Sequence, residues 1–134
     1  EKIILTPTYH VMEMYNVHHD ALMLPVQVIS NKYKVGQDAL DAISVSASKD
    51  KNGKTHISLV NIDAKQSQTI SIDFQGATYK SVAGRILQSS KLQDHNSFEK
   101  PNVIEPKAFS GASLKGNSLE VKLPPFSVVV LELK

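Results

Sequence analysis

Ile3-Ile4-Leu5-Thr6-Pro7-Thr8-Tyr9-His10-Val11-Met12-Glu13-Met14-Tyr15-Asn16-Val17-His18-His19 is the one stretch of this 134-residue chain that reads as helix, and its position decides the fold. A Thr hydroxyl can accept from an orphan amide of a first helical turn, and Pro at the first helical position lacks only a donor that would go unpaired there. Thr6-Pro7 is therefore a good helix start. Val11, Met14, Tyr15 and His18 follow at i, i+3, i+4 and i+7, which is one helical face. Asp20-Ala21 ends the pattern, and Pro25 forbids its continuation. Ile3-Ile4-Leu5 just before it reads as a short buried strand. A strand and helix without a partner strand make half of a βα unit. The chain also opens on Glu1-Lys2 with an apolar run under way and no initiator Met. Together these features predict a piece of a larger protein, with residues 1–23 closing one domain and residues 24–134 forming a complete β domain.

Working outward from the helix, everything after Leu24 reads as strands and turns. A first strand is expected over Leu24 to Ile29, followed by a polar, irregular stretch from Lys32 to Ala42. Ile43, Val45 and Ala47 alternate with serines, as a half-buried strand does. Asp50-Lys51-Asn52-Gly53 supplies the positive-φ positions of a tight hairpin, and Thr55 to Ile62 returns with Ile57 and Leu59 on one side. Thr69 to Phe74 alternates through Ile70, Ile72 and Phe74. Ser81 to Leu87 is another strand, and Lys91 to Lys107 a long loop. Ala112 to Leu114 pairs across Gly116-Asn117 with Leu119, Val121 and Leu123. Pro124-Pro125 breaks the run. Phe126 to Leu133, the most apolar strand, is expected at the centre of a sheet. Phe74 and Phe126 are expected in the core. About eight short strands spaced by turn signals predict an all-β fold, a β-sandwich of jelly-roll type with a strand-helix segment at its N-terminus. The alternation buries one face of each strand, and two such faces packed together supply the core.

Composition narrows the function classes. Hydrophobic residues make up 41% of the chain, as in ordinary soluble globular domains, and no apolar run approaches the ~20 residues of a membrane-spanning helix. The formal charge is +2, from 15 basic and 13 acidic residues, and Arg85 is the single arginine. Scattered lysines and one arginine argue against nucleic acid as a partner, because phosphate recognition uses clustered Lys and Arg. The absence of cysteine excludes disulfides, thiolate metal sites and a Cys nucleophile.

The residues that could carry chemistry each have a more ordinary role. His18-His19-Asp20 resembles a metal cluster, but adjacent helical residues point about 100° apart and cannot share a ligand face. His18 and His19 are expected instead to sit at a helix C-terminus, where the dipole favours their charged form. Asp94-His95-Asn96 carries a carboxylate and an imidazole, but no serine in the chain sits on a Gly-x-Ser-x-Gly elbow. Hydrogen bonds that order the loop are the expected role of Asp94 and Asn96, and Asp94 with its neighbours is too poor in anionic oxygens for calcium. Glu13, Asp63, Asp73, Glu99, Glu105, Glu120 and Glu132 are candidates by type for a paired-carboxylate site. Asp73, Glu120 and Glu132 fall on polar faces of alternating strands and are expected to face solvent. Tryptophan is absent, and nothing places Tyr33, Tyr79, Phe98 and Phe109 on one face as a sugar-stacking platform. Gly36, Gly76 and Gly84 are isolated, so no glycine-rich phosphate loop exists.

Ile4-Leu5-Thr6-Pro7-Thr8-Tyr9-His10-Val11, with Glu13-Met14-Tyr15, resembles a block near the end of the barrel in glycoside hydrolase family 51, the α-L-arabinofuranosidases. Three later blocks resemble the same family in the same order. Ile43-Ser44-Val45-Ser46-Ala47-Ser48 with His56-Ile57-Ser58-Leu59-Val60-Asn61 is similar to its paired strands. Gly84-Arg85-Ile86-Leu87 with His95-Asn96-Ser97-Phe98 and Pro101-Asn102 is similar to its strand and long loop. Leu123-Pro124-Pro125-Phe126-Ser127-Val128-Val129-Val130-Leu131 is similar to its closing strand. Met12 departs from the Phe that many members carry.

The resemblance implies a C-terminal β-sandwich attached to a (β/α)8 barrel of the same parent chain, with residues 1–23 as the last barrel strand and helix. It implies a retaining enzyme that needs no cofactor and releases terminal arabinofuranose from arabinan or arabinoxylan. Both catalytic glutamates of the family belong to earlier motifs that this chain lacks, so no catalytic residue carries over. Thr6, Thr8, Tyr9 and His10 follow the last barrel strand, on the side where barrel active sites are built. They are expected to border the sugar pocket of the parent, against the more ordinary reading of a capped helix start. In the family an N-terminal strand of the parent also joins the sandwich. Without it an open sheet edge, or the apolar stripe of the helix, is expected to drive self-association. A carbohydrate-binding module is the rival function. An immunoglobulin-like adhesion domain is a further rival, and it leaves the strand-helix opening unexplained.

Overall fold

The computed structural model describes residues 2–134; Glu1, the first residue of the expected 1–23 segment, lies outside the described residues. Helix α1 spans Pro7–Tyr15 and runs into one 3₁₀ turn, Asn16–His18. Thr6 caps it, its Oγ1 accepting from the Tyr9 amide at 3.2 Å. The chain then leaves the helical path through Asp20 at φ 55°.

Among the described residues eleven strands follow: β1 (Leu22–Leu24), β2 (Lys32–Val35), β3 (Asp38–Asp41), β4 (Ile43–Lys49), β5 (Thr55–Asn61), β6 (Gln68–Asp73), β7 (Val82–Gln88), β8 (Lys107–Ala108), β9 (Ala112–Lys115), β10 (Ser118–Leu123) and β11 (Ser127–Leu133). Among the described residues they form a six-stranded sheet in the order β1-β4-β5-β11-β7-β8, a three-stranded sheet β6-β10-β9 and a separate β2-β3 hairpin. All pairings are antiparallel. As its composition predicts, β11 lies inside the large sheet, between β5 and β7.

The strand period of two decides what faces what. Ile57 and Leu59 of β5, Ile86 of β7, and Val129, Leu131 and Leu133 of β11 point inward from the large sheet. They meet Leu119, Val121 and Leu123 of β10, with Ile70, Ile72 and Phe74 closing the other side. This is a β-sandwich with one core between two sheets. Gly84 is a required glycine: a Cβ there would lie 2.7 Å from Leu131 Cδ2 and 3.2 Å from the Phe109 ring. The bare backbone lets Phe109 close over β7 and donate its amide to Gly84 O at 2.9 Å.

Several local expectations are corrected. Ile3 to Leu5 form no strand, and Ile3 is 84% exposed; no strand among the described residues lies beside them to form a ladder. Of the expected strand Leu24 to Ile29 only Leu24 pairs: β1 begins two residues earlier, at Leu22, and ends before Pro25, which cannot donate to a ladder. The stretch Lys32 to Ala42 is not irregular. It folds as the β2-β3 hairpin around Gly36 at φ 62°, its polar composition reflecting exposure on both faces. Phe126 is not part of the core. It sits at φ 49° behind Pro124-Pro125 and lines a cleft near Asp94.

Candidate functional site

The outer face of the large sheet carries the candidate site. Here the same alternation presents Ser44, Ser46 and Ser48 from β4, His56, Ser58 and Val60 from β5, Val128, Val130 and Glu132 from β11, and Ala83, Arg85 and Leu87 from β7. One part of this face is apolar and the other polar. Helix α1 lies over the apolar part. Met14 is buried against Leu87, Ile104 and Val130, with Val11, Tyr15, Val17 and Val128 around them. Apart from a barrel, the helical stripe has to bury elsewhere or stay exposed; here the chain's own sheet covers it.

Between helix and sheet lies a groove of about 440 Å³, bordered by Glu13, Asn16, His56, Arg85 and Glu132. Its two acids are both paired. Arg85 Nη1 donates to Glu13 Oε1 at 2.7 Å, and this bond holds the Glu13 carboxyl below its usual range. Glu132 accepts from Lys134 at 2.9 Å and from Lys54 at 3.1 Å. These hydrogen bonds bring its pKa down to about 2. Glu132, expected to face solvent freely, is instead the hub of a three-residue ion cluster.

The polar half of the sheet is closed by histidines. His18 spans two strands: its Nδ1 and Nε2 each lie 2.6 Å from a serine Oγ, Ser48 on β4 and Ser58 on β5. His18 closes the 3₁₀ turn that follows α1, at a helix C-terminus as expected, but the expected favouring of its charged form is corrected. Burial, and secondarily the neighbouring His56, push the His18 pKa down. The His56 side chain is 6% exposed, with Nε2 3.6 Å from Glu132 Oε2. Its Nδ1 has no hydrogen-bond partner among the described residues. His19 points into solvent beside Asp20. The sequence singled out His18 for the wrong reason and passed over His56, whose place opposite Glu132 is visible only once the β5-β11 register is known.

Thr6, Thr8, Tyr9 and His10 occupy the helix start. Thr6 is committed as the cap, Thr8 and Tyr9 are exposed, and the Tyr9 and His10 rings meet edge-on at 5.6 Å. None of the four lines the groove. In the long loop, Asn96 Nδ2 donates to Leu5 O and Ile104 O, and its Oδ1 accepts from the Ile104 amide, each at 2.8 Å. Ser89 Oγ donates to Asp94, and His95 Nδ1 lies 3.0 Å from Gln93 O. Asp63 accepts from the amides of Lys65 and Gln66, and Glu120 pairs with Lys115. Among the described residues no three His, Cys, Asp or Glu side chains gather as a metal site. Tyr79 and Phe109 pack on the core, whereas Phe98 is exposed. No helix among the described residues is long and apolar enough to cross a membrane.

Comparison with known proteins gives a consistent picture. The family model for the α-L-arabinofuranosidase C-terminal domain matches residues 1–127. An intracellular exo-α-L-arabinofuranosidase of Bacteroides ovatus is 43% identical over 135 residues, covering all of this chain and 26% of the relative. A crystal structure of a family 51 arabinofuranosidase from Xanthomonas axonopodis pv. citri superposes with a TM-score of 0.96 at 38% identity, over 99% of this chain and 27% of that one. The family 51 enzyme AbfB of Bifidobacterium longum shares the fold at 17% identity, with a TM-score of 0.84 over 96% of this chain and 26% of its own. The chain spans about a quarter of the length of these relatives.

Proposed function

Because the chain belongs to the family of α-L-arabinofuranosidase C-terminal domains, within glycoside hydrolase family 51, we propose that it serves as the accessory β-sandwich of a retaining α-L-arabinofuranosidase. That parent hydrolyses terminal non-reducing α-L-arabinofuranosyl residues of arabinan or arabinoxylan, and this domain is structural and non-catalytic. The observation that carries the non-catalytic reading is the state of the groove acids. A retaining glycosidase needs one carboxyl raised in pKa to act as general acid. Glu13 and Glu132 are both held low by basic partners, so both are charged and committed at neutral pH. The 134-residue chain is expected to release no aryl alcohol from an aryl α-L-arabinofuranoside. Turnover comparable with that of a whole family 51 enzyme overturns the reading.

The same reading divides the chain functionally. Residues 1–23 close the parent's barrel, and residues 24–134 are the sandwich that buttresses it. The way α1 lies on the outside of the sandwich, contributing nothing to the core between the sheets, supports this division. Thr6, Thr8, Tyr9 and His10 then border the parent's sugar pocket, which the exposure of Thr8 and Tyr9 supports. Unchanged kinetics for Tyr9→Phe in the whole enzyme removes that assignment. Calorimetry with arabinan and arabinoxylan oligosaccharides should show no saturable binding to the 134-residue chain; saturable binding favours a carbohydrate-binding module instead. Self-association is expected through the β1 edge, where Leu22 and Met23 are 70% and 81% exposed. Light scattering that shows only monomer at high concentration rejects it.

A further inference from the structure

His18 holds the N-terminal segment to the sheet through both ring nitrogens, each 2.6 Å from a serine hydroxyl on a different strand. A neutral imidazole can do this with one donor and one acceptor nitrogen. The ring is partly buried, and among the described residues no carboxylate forms a hydrogen bond or ion pair with it. The neighbouring His56 is buried more deeply, with an unpartnered Nδ1.

The charged and titratable groups around this pair are all committed elsewhere. On β11, Glu132 lies 3.6 Å from His56 Nε2, but its charge is already matched by Lys54 and Lys134. On the helix, Glu13 is bound to Arg85 of β7. Tyr15 meets the His18 ring edge-on at 5.8 Å, and burial raises its pKa. In the following turn Asp20 faces His19 and Lys51. None of these offers an uncommitted negative charge to an imidazolium at position 18.

We propose that His18 is a pH-sensitive latch, which docks the Pro7–His18 segment on the outer face of the large sheet at neutral pH and releases it on acidification while the sandwich core stays folded. The serine hydroxyls can accept from an imidazolium as well as bridge a neutral ring, so the sign comes from burial: the docked ring is partly withdrawn from water, and a charge there is disfavoured. The released ring is hydrated and takes a proton more readily than the docked one. Docking is therefore complete above the ordinary histidine range and is lost as pH falls below it. Each proton preferred by the released form weakens docking by up to about tenfold per pH unit. The inference concerns this chain's own residues and stands whether or not the parent's activity is as proposed above.

The test uses the 134-residue chain with labelled histidine rings. Ring shifts and amide-exchange protection, corrected for intrinsic exchange, are followed between pH 7.5 and 5. Protection of the Val11–Tyr15 amides is expected to fall by about tenfold or more, with its midpoint on the His18 ring titration, while the Val129–Leu131 amides keep theirs. In His18→Gln, which retains a donor and an acceptor, helix protection should no longer depend on pH. The latch is overturned if helix protection in the unaltered chain is flat with pH, or if helix and β11 amides lose protection together. It is equally overturned if His18→Gln shows the same decline. The unaltered chain alone decides the matter should the variant fail to dock.

Discussion

Asn61 gives the sharpest test of how the sandwich is held. It lies at the end of β5 with 1% of its surface exposed. Its Nδ2 donates to Gln66 O at 3.0 Å and Pro124 O at 2.9 Å, and its Oδ1 accepts from the Asp63 amide at 3.0 Å. One side chain thereby ties the β5-β6 turn to the Pro124-Pro125 bend that delivers β11. Asn61→Ala removes three hydrogen bonds worth about 1 kcal/mol each, for a loss of about 3 kcal/mol. At roughly 3–4 °C per kcal/mol for a chain of this size, that is a drop in Tm of about 10 °C. Asn61→Asp keeps the shape and tests the polarity. It turns an amide donor into a carboxylate oxygen facing carbonyl oxygens, so an uncompensated buried charge adds about 3–5 kcal/mol of destabilisation at neutral pH. Protonation restores a donor, so this variant should recover part of its deficit as pH falls, opposite in direction to the unaltered protein. Urea unfolding at pH 7 and pH 4.5 measures both effects. An Asn61→Asp protein as stable at pH 7 as Asn61→Ala, or one whose deficit ignores pH, refutes the reasoning.

Other outcomes follow from the same contacts. Met14→Ala empties the site between α1 and Leu87, Ile104 and Val130, and should cost about 2–5 kcal/mol of helix docking, read as lost amide protection confined to residues 7–18. Gly84→Ala forces a methyl against Leu131 and Phe109 and should destabilise by about 1–3 kcal/mol, visible as a lowered urea midpoint. The Glu132 carboxyl titrates from about 4.5 when unfolded down to about 2 when folded. Its contribution is therefore fully present above pH ~4.5 and is lost as pH falls toward 2. Glu132→Gln should flatten the fall in urea midpoint across that window.

The strands were legible wherever one face is buried and the other wet. Ile43 to Ala47, Thr69 to Phe74 and Leu119 to Leu123 alternate strictly, and each became a strand with its apolar side inward. The failures have two physical sources. Lys32 to Asp41 forms a hairpin in which only Tyr33 is even partly buried, so burial writes no alternation into it. Ile3 to Leu5 has strand composition but no strand beside it, and composition cannot supply a hydrogen-bond partner. Phe126 failed for a third reason. Its apolar register continues from β11, yet the two prolines before it turn the backbone, and φ 49° takes the ring off the strand's inner face.

The outer face of the large sheet was harder to read than the core, and the reason lies in what a strand pattern encodes. Alternation reports that Ser46, Ser48, Ser58 and Glu132 are not core; it does not distinguish a wet face from a polar face under a helix. The distinguishing facts are pairings between distant residues: Ser48 beside His56 beside Glu132 across three strands, and His18 above them from the N-terminal segment. Each residue alone has an ordinary explanation as a solvent-facing polar group. Their convergence leaves one imidazole nitrogen without a partner, which costs about 1–3 kcal/mol relative to a satisfied group. A purely passive face would relieve that cost by an apolar residue at position 56. His56→Leu is therefore expected to stabilise the docked helix at neutral pH, measured as increased amide protection over residues 11–15. It should also shift helix release to lower pH, because the second imidazole beside His18 is gone. A variant with unchanged or weakened helix protection shows instead that His56 contributes to docking through its contact with Glu132, and that the unpartnered nitrogen is the lesser effect.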